Sequence, residues 1–232
     1  MKNVALSFAL AVAVLTPAAF AGPVTWTQWT GATAGTNGSA TGTMGSTTVS
    51  YSGQTSGLGI GYAGTVGSFY PGESGTNWGP AGSYTGGGVD NAPPTSGNLV
   101  SLEGGNSDEI ETITFSSAVN DPYLAIWSLG AGGNTASFVF SNPFSIVACG
   151  PSTEYGGGCV TESGNTLFGT EGNGVIQFAG SITSISFTTP DYENWYGFTA
   201  GETSATPEPG GLVLLGTGLL AAGLLFRRQL TH

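Results

Sequence analysis

The chain contains no basic residue between Lys2 and Arg227, and this absence limits both its fold and its partners. All 14 aspartates and glutamates lie within residues 22–209, so this stretch carries a charge close to −14 near neutral pH. Salt bridges cannot form there, so a hydrophobic core and backbone hydrogen bonds must hold the fold against charge repulsion. Nucleic acid is excluded as a partner, because affinity for phosphates comes mainly from lysine and arginine.

The residue types of this stretch favour strands over helices. Glycine supplies 41 of the 232 residues, whereas lysine, arginine and glutamine are scarce. From Leu99 onwards, short runs rich in β-branched and aromatic residues alternate with Gly, Asn, Pro and Asp. The predicted strands are 99–103, 109–116, 123–129, 136–140, 144–148, 174–179, 181–188 and 195–200. We therefore predict an all-β domain over residues 22–201, an antiparallel β-sandwich of jelly-roll-like type.

The large apolar residues of these runs form the predicted core. They are Phe115, Leu124, Ile126, Trp127, Phe138, Phe140, Ile146, Phe178, Ile185 and Phe187. Two runs share the pattern Ile-x-x-Ile-x-Phe, beginning at Ile110 and at Ile182. The odd step from the first isoleucine breaks strand alternation and predicts a bulge or a change of face. We interpret the similarity as two core strands in similar surroundings rather than as a repeat.

Residues 31–98 have a biased composition, since 39 of these 68 residues are Gly, Ser or Thr. Such a bias is typical of linkers, but aromatic residues recur here from Tyr51 to Tyr84. We predict loosely patterned strands joined by long loops.

Two cysteines, Cys149 and Cys159, follow in the second half, and an oxidising compartment favours a disulfide between them across a loop tip. A metal site is the alternative, although two cysteines without a histidine form half of a zinc site at best.

The N-terminus has the pattern of a cleaved export signal. Lys2 precedes an apolar run from Val4 to Leu15, which spans about 18 Å as a helix and is short for a hydrocarbon core of about 30 Å. Small residues at Ala19 and Ala21 suit a signal peptidase, so Gly22 is the predicted first mature residue. Residues 1–21 are therefore predicted to be a signal peptide.

The C-terminus has the pattern of a membrane anchor. Residues 210–226 contain no charge and span about 25 Å as a helix. Arg227 and Arg228 follow at once and place the 227–232 tail in the cytoplasm by the positive-inside rule. We predict an inner-membrane, single-pass precursor with its domain outside, joined to the anchor by a linker at 202–209.

Pro207-Glu208-Pro209, the apolar segment and the basic end together resemble the PEP-CTERM sorting signal of Gram-negative bacteria. Thr206 stands where that family more often has valine. The resemblance implies processing by an exosortase-like protease near Pro207–Pro209, and association with exopolysaccharide and biofilm matrix. The same tail is sometimes labelled an ice-binding protein C-terminus. Residues 193–201 also resemble the last strand of passenger domains in this family, which sets the expected domain end.

The exported stretch lacks the usual catalytic parts, because it has neither histidine nor lysine. A Ser-His-Asp triad, a Cys-His pair and a Schiff-base lysine are thereby excluded. Glycoside hydrolysis needs only two carboxylates, so it stays open as an alternative. The candidate carboxylates are Glu103, Glu109, Glu111, Glu171 and Glu193.

Three binding functions also stay open. No cofactor is predicted, but a structural Ca²⁺ is an alternative at the loops 106–109 and 120–121, with no assignable ligand set. Trp26, Trp29, Trp78 and Trp195 would form a sugar-binding platform if exposed, although such residues are more often core. Ice binding would need flat ranks of threonines, and the sequence shows no such repeat. The leading prediction is a non-enzymatic surface or matrix protein, with a carbohydrate-binding module as first alternative.

Overall fold

The computed structural model describes residues 23–55, 77–94, 99–153, 155–193, 196–204 and 216–219. The chain divides into one unit of Ala21–Ala205 and a second unit formed by the two terminal segments. In the second unit, the described residues are 216–219, and they are helical. Within the described parts of the chain, we find no helix with the length and apolarity that a membrane crossing requires. Most of the predicted anchor, 210–226, lies outside the described residues.

The Ala21–Ala205 unit is built from short β-strands, as its composition predicts. The strands are β1 (Val24–Trp26), β2 (Gln28–Thr33), β3 (Gly35–Met44), β4 (Thr47–Thr55), β5 (Val100–Leu102), β6 (Asn106–Asn120), β7 (Tyr123–Leu129), β8 (Ala136–Phe140), β9 (Phe144–Cys149), β10 (Gly158–Cys159), β11 (Thr161–Ser163), β12 (Thr166–Gly169), β13 (Gly172–Phe178), β14 (Ser181–Thr189) and β15 (Tyr196–Thr203). All eight strands predicted after residue 98 are present. The last of them continues to Thr203, two residues beyond the expected domain end.

The strands form two sheets. The seven-stranded sheet has the order β1-β15-β7-β13-β10, with β5 also beside β15 and β9 also beside β13. The eight-stranded sheet has the order β11-β12-β8-β14-β6-β4-β3-β2. Among the described pairs only β10 and β13 run parallel. Successive strands from β6 to β9 alternate between the sheets, as do those from β12 to β15. This arrangement fits the predicted antiparallel sandwich.

The Gly/Ser/Thr-rich half is more regular than the sequence indicated. Strands β2, β3 and β4 form an antiparallel meander, and the described connections between them are short rather than long. One residue separates β2 from β3, and the turn Gly45–Ser46 joins β3 to β4. The expectation of long loops was therefore wrong for this part. Alternate residues of β3 and β4, including Ala40, Met44, Val49 and Tyr51, are buried, so a strand period is present among the small residues.

Two hydrophobic clusters cover the two faces of the seven-stranded sheet. The larger cluster lies between the sheets and contains nine of the ten predicted core residues as buried or packed members. The tenth, Trp127, belongs to the second cluster, together with Trp78 and Tyr84 from the segment 77–94. Because both faces are covered, all seven residues of β7 are buried. Trp78 and Tyr84 of the glycine-rich half thus belong to a second layer of core.

The two Ile-x-x-Ile-x-Phe runs lie side by side as core strands. Ile113 of β6 is the direct partner of Ile185 of β14, which accounts for their similarity without a repeat. Ile110 is 69% exposed, so the first run changes face as predicted. In the second run Ile182 stays near the core, and the register shifts between Ile182 and Ser184, where β6 carries extra residues. A bulge of this kind was predicted there.

Candidate functional site

Two of the five candidate carboxylates meet at one cleft. It has a volume of about 320 Å³ and opens at the end of β7, beside the start of β13. We call it the tyrosine cleft, after the two rings on its walls. The lining side chains used below are Ser128, Asn134, Tyr155, Glu171, Tyr192 and Glu193. Tyr155 is 38% exposed and Tyr192 is 60% exposed, so both rings are accessible to a ligand.

Tyr155 reaches the cleft on a loop that a disulfide closes. The predicted bond between Cys149 and Cys159 is present and ties the end of β9 to β10. Inside the loop, Ser152 N donates to Gly156 O at 2.6 Å and Tyr155 N donates to Ser152 Oγ at 3.2 Å. The ring of Tyr155 packs against Trp127, with centroids 5.6 Å apart. These contacts hold the ring in place although its outer part faces solvent.

The backbone around the cleft is held by Asn173, which is fully buried. Its Oδ1 accepts from Ser128 N at 2.8 Å and from the hydroxyl of Tyr84 at 3.2 Å. Its Nδ2 donates to Glu171 O at 2.8 Å and to Gly156 O at 3.5 Å. One amide therefore connects β7, the approach to β13, and the loop that carries Tyr155. A buried side chain with its donors and acceptors satisfied in this way fixes local geometry.

The backbone at the cleft adopts rare conformations. Ser128 has φ 53° and Glu171 has φ 54°, and non-glycine residues seldom occupy this region. The register between β13 and β7 shifts at Gly172–Gly174, so a bulge lies beside Ser128. Gly157 has φ 68°, and a Cβ there would stand 1.8 Å from Glu171 O. Such strain costs of order 1–3 kcal/mol per residue and persists where the surroundings enforce it, often at functional sites.

The carboxylates of the cleft are held by hydrogen bonds. Glu171 Oε2 accepts from Ser128 Oγ at 2.6 Å. Glu193 is 8% exposed, and its Oε2 accepts from Gly130 N at 3.1 Å. The main chain of Glu193 donates to Glu103 O at 2.6 Å, which positions the segment that also carries Tyr192. The cleft thus combines two accessible aromatic rings with two carboxylates that hydrogen bonds orient.

A third candidate, Glu111, is closed inside the core rather than placed at the cleft. It is fully buried, is hydrogen bonded to Tyr51 Oη, accepts from Thr189 Oγ1, and has Glu109 as a charged neighbour. Burial raises the pKa of Glu111 to about 7, partly opposed by its two hydrogen bonds. Tyr51 Oη also lies 2.5 Å from Gln54 O. One hydroxyl proton cannot serve two pure acceptors, so the geometry favours a protonated Glu111 that donates to Tyr51.

The other sequence candidates lie elsewhere. Trp26, Trp29 and Trp78 are at most 5% exposed, so they are core residues and offer no sugar platform. Trp195 lies outside the described residues, as do the signal residues Ala19, Ala21 and Gly22 and the sorting residues Pro207, Glu208, Pro209, Arg227 and Arg228.

The proposed calcium loops have other roles. Residues 106–109 are part of β6, whose Asn106 pairs with Thr189, so the expectation of a loop there was wrong. Asp121 has φ 48° and accepts from Gly180 N at 2.6 Å, which makes it a turn residue. Across the described ranges, no group of three or more His, Cys, Asp or Glu side chains is placed to hold a metal ion.

No protein-family model, curated protein or solved structure matches this chain. The functional interpretation of the cleft therefore depends on its geometry alone. Sequence reasoning had named Glu171 and Glu193 but had missed Tyr155, Tyr192 and Asn173. A usable signal was present, because Tyr155 lies between the two cysteines and Tyr192 is next to Glu193 in the printed sequence.

Proposed function

We propose that this chain is an exported, non-enzymatic surface or matrix protein that binds carbohydrate in the tyrosine cleft. The observation that carries the proposal is the pair of exposed rings, Tyr155 and Tyr192, beside the carboxylates of Glu171 and Glu193. Sugar rings offer apolar faces that pack on aromatic side chains, and sugar hydroxyls donate to carboxylates. Ligand sites commonly combine such aromatic walls with a few fixed polar groups.

Export is supported by independent features of the chain. The Cys149–Cys159 disulfide suits an oxidising compartment. The stretch 22–209 has no basic residue and would be soluble through its negative charge. The resemblance of the tail to PEP-CTERM signals adds an exosortase-like partner and an exopolysaccharide setting. Within this proposal, the inner-membrane precursor is anchored by 210–226, and the sandwich is of the jelly-roll-like type.

Binding of the secreted protein to a glycan array tests the carbohydrate proposal. We expect Tyr192→Ala to lower affinity about tenfold or more, because it removes a ring that is 60% exposed on the cleft wall. Ile110→Ala is the matched control, since Ile110 is also largely exposed but lies on the eight-stranded sheet. Equal loss in both variants, or no glycan binding at all, would count against the cleft.

Mass spectrometry of the native product tests the proposed route. We expect loss of residues 1–21 and of the segment after about Pro209, which leaves Gly22 at the N-terminus. An Ala21→Arg precursor is the control, because a bulky charged residue at that position should block signal cleavage. A mature protein that still carries Arg227 and Arg228 would contradict exosortase-like processing.

A glycoside hydrolase is the second candidate, because Glu171 and Glu193 line the same cleft. Two carboxylates on either side of a glycosidic bond are sufficient for that chemistry. Release of reducing ends from a bound oligosaccharide, abolished in Glu171→Gln and in Glu193→Gln, would favour the enzyme. Binding without turnover over long incubation would favour the non-enzymatic proposal.

A further inference from the structure

We propose that the tyrosine cleft selects sugars that carry a free amino group, that is, positively charged hexosamine units. This inference rests on the proposed carbohydrate function and narrows its ligand class. It follows from three features of the cleft: the sign of its charge, the nature of its walls, and its size.

The charge of the cleft is negative, and no basic side chain of residues 22–209 balances it. Glu171 and Glu193 both line the cleft, whereas residues 22–209 include no lysine, arginine or histidine. A positive charge near these carboxylates must therefore come from outside this stretch, and a cationic ligand can supply it. A protonated amine would gain from both carboxylates and from the net negative field of the domain. A uronic acid or a sulfated sugar would be repelled for the same reason.

The walls of the cleft favour the same group. Tyrosine rings attract cations over their faces by about 0.5–1 kcal/mol at exposed sites. Tyr155 is held against Trp127, so its ring is in place before a ligand arrives. The carboxylate of Glu171 is also oriented in advance, because Ser128 Oγ donates to its Oε2 at 2.6 Å. Preorganised groups of this kind lose little entropy when they bind.

The size of the cleft indicates a sugar rather than a bare amine. A volume of about 320 Å³ is far larger than an ammonium group and lies at the lower end of the range for small-molecule sites. Two exposed rings also provide more apolar contact than a linear amine can fill. The ligand should therefore bring both a positive charge and a ring face.

Calorimetric titration of the secreted protein at pH 6 and low salt provides the test, with four probes. These are a glucosamine tetramer, an N-acetylglucosamine tetramer, a glucose tetramer of β-1,4 linkage, and spermidine. We expect the glucosamine tetramer to bind at least about tenfold more tightly than either neutral tetramer, which corresponds to about 1.4 kcal/mol. Raising the salt concentration should reduce this preference, because the interaction between the charges is screened.

The variants separate charge recognition from general sugar binding. Glu171→Gln should lower affinity for the glucosamine tetramer about tenfold and lower affinity for the neutral tetramers by a clearly smaller factor, because glutamine keeps an acceptor for sugar hydroxyls but lacks the charge. Glu162→Gln is the matched control, because Glu162 is an exposed carboxylate on β11 of the other sheet. Tyr192→Ala should weaken all three tetramers.

Each contrary outcome has a distinct meaning. If the neutral tetramers bind as tightly as the glucosamine tetramer, the proposal of amine selection is wrong, whereas the proposal of carbohydrate binding is supported. If no tetramer binds, the proposed function fails as well. If spermidine binds and the tetramers do not, the cleft recognises amines without sugar, and both proposals are overturned.

Discussion

Replacement of Glu111 by glutamine should change how the stability of the domain depends on pH. Glu111 is fully buried, so its carboxylate form is a negative charge in the core that hydrogen bonds to Tyr51 and Thr189 compensate only in part. Glutamine has the same shape and resembles the protonated acid, since its amide can donate to Tyr51 Oη and its carbonyl can accept from Thr189. The substitution therefore removes the charge and keeps the hydrogen bonds.

The magnitude follows from the pKa of Glu111, which burial raises from 4.5 to about 7. The folded state then holds a proton that the unfolded state releases, so stability decreases as pH rises from about 4.5 through about 7. A tenfold change in proton affinity corresponds to about 1.4 kcal/mol, so the full loss from this one group is about 3 kcal/mol. Below pH 4.5 the contribution is fully present, and above pH 7 it is absent.

Urea unfolding followed by tryptophan fluorescence measures this effect at pH 4.5 and pH 8. Repulsion among the other carboxylates also weakens the wild-type protein as pH rises, so the informative quantity is the difference between proteins. We expect the wild-type protein to lose about 3 kcal/mol more than Glu111→Gln between the two pH values. Glu162→Gln removes one exposed carboxylate and serves as the control for net charge.

The reasoning would be refuted if wild type and Glu111→Gln lost the same free energy of unfolding between these pH values. That result would mean that Glu111 has an ordinary pKa in the folded protein. Water would then reach its carboxylate, or the surroundings would rearrange to solvate it. The same conclusion would follow if Glu111→Gln were less stable than wild type by an equal amount at both pH values. Equal behaviour of Glu162→Gln and Glu111→Gln would assign the effect to net charge alone.

Three further predictions concern the cleft and the core. Cys149→Ser with Cys159→Ser should lower the free energy of unfolding by about 3 kcal/mol and weaken oligosaccharide binding, measured by urea unfolding and calorimetry, because the Tyr155 loop opens. Gly157→Ala should weaken binding at least about tenfold and lower the free energy of unfolding by more than the about 1–2 kcal/mol that an alanine in the left-handed conformation costs by itself, because its Cβ would also displace the backbone of Glu171. Phe138→Ala should cost about 3–5 kcal/mol in urea unfolding and leave the affinity of the folded protein unchanged. If the first two variants bound as tightly as wild type, neither the disulfide nor Gly157 would be needed to position the cleft residues.

The strands were predictable because their signal is local. Tyr123–Leu129 and Ala136–Phe140 were predicted with the bounds that the structure has, since β-branched and aromatic runs end at glycine and asparagine. Strands β10 to β12 were missed, because they are two to four residues long and rich in glycine and threonine. The meander β2–β4 was underestimated for a related reason. Its period of two is carried by small residues such as Ala40 against Thr41, which hydropathy barely distinguishes.

The site was less predictable, because its residues meet only through the fold. Tyr155, Glu171 and Tyr192 come from separate turns, and Asn173 links the first two through hydrogen bonds to Gly156 O and Glu171 O. The tryptophans suggested a sugar platform, but Trp29 and Trp78 are fully buried, as their large apolar area favours. Tyr155 and Tyr192 remain at the surface, whereas Tyr51, Tyr84 and Tyr196 are buried like the tryptophans.

A stretch without basic residues, such as 22–209, can neutralise a carboxylate in only a few ways, and its described residues illustrate two of them. Glu111 is fully buried, so only a proton can neutralise its carboxylate. Burial accordingly raises the pKa of Glu111 to about 7. Glu171 lies at an open cleft beside accessible rings, so an external cation can serve instead. The same scarcity of positive charge therefore makes the core sensitive to pH and the cleft selective for charge. If an amine-bearing sugar binds the folded state alone, it should also raise the free energy of unfolding with ligand concentration, and most clearly at low salt.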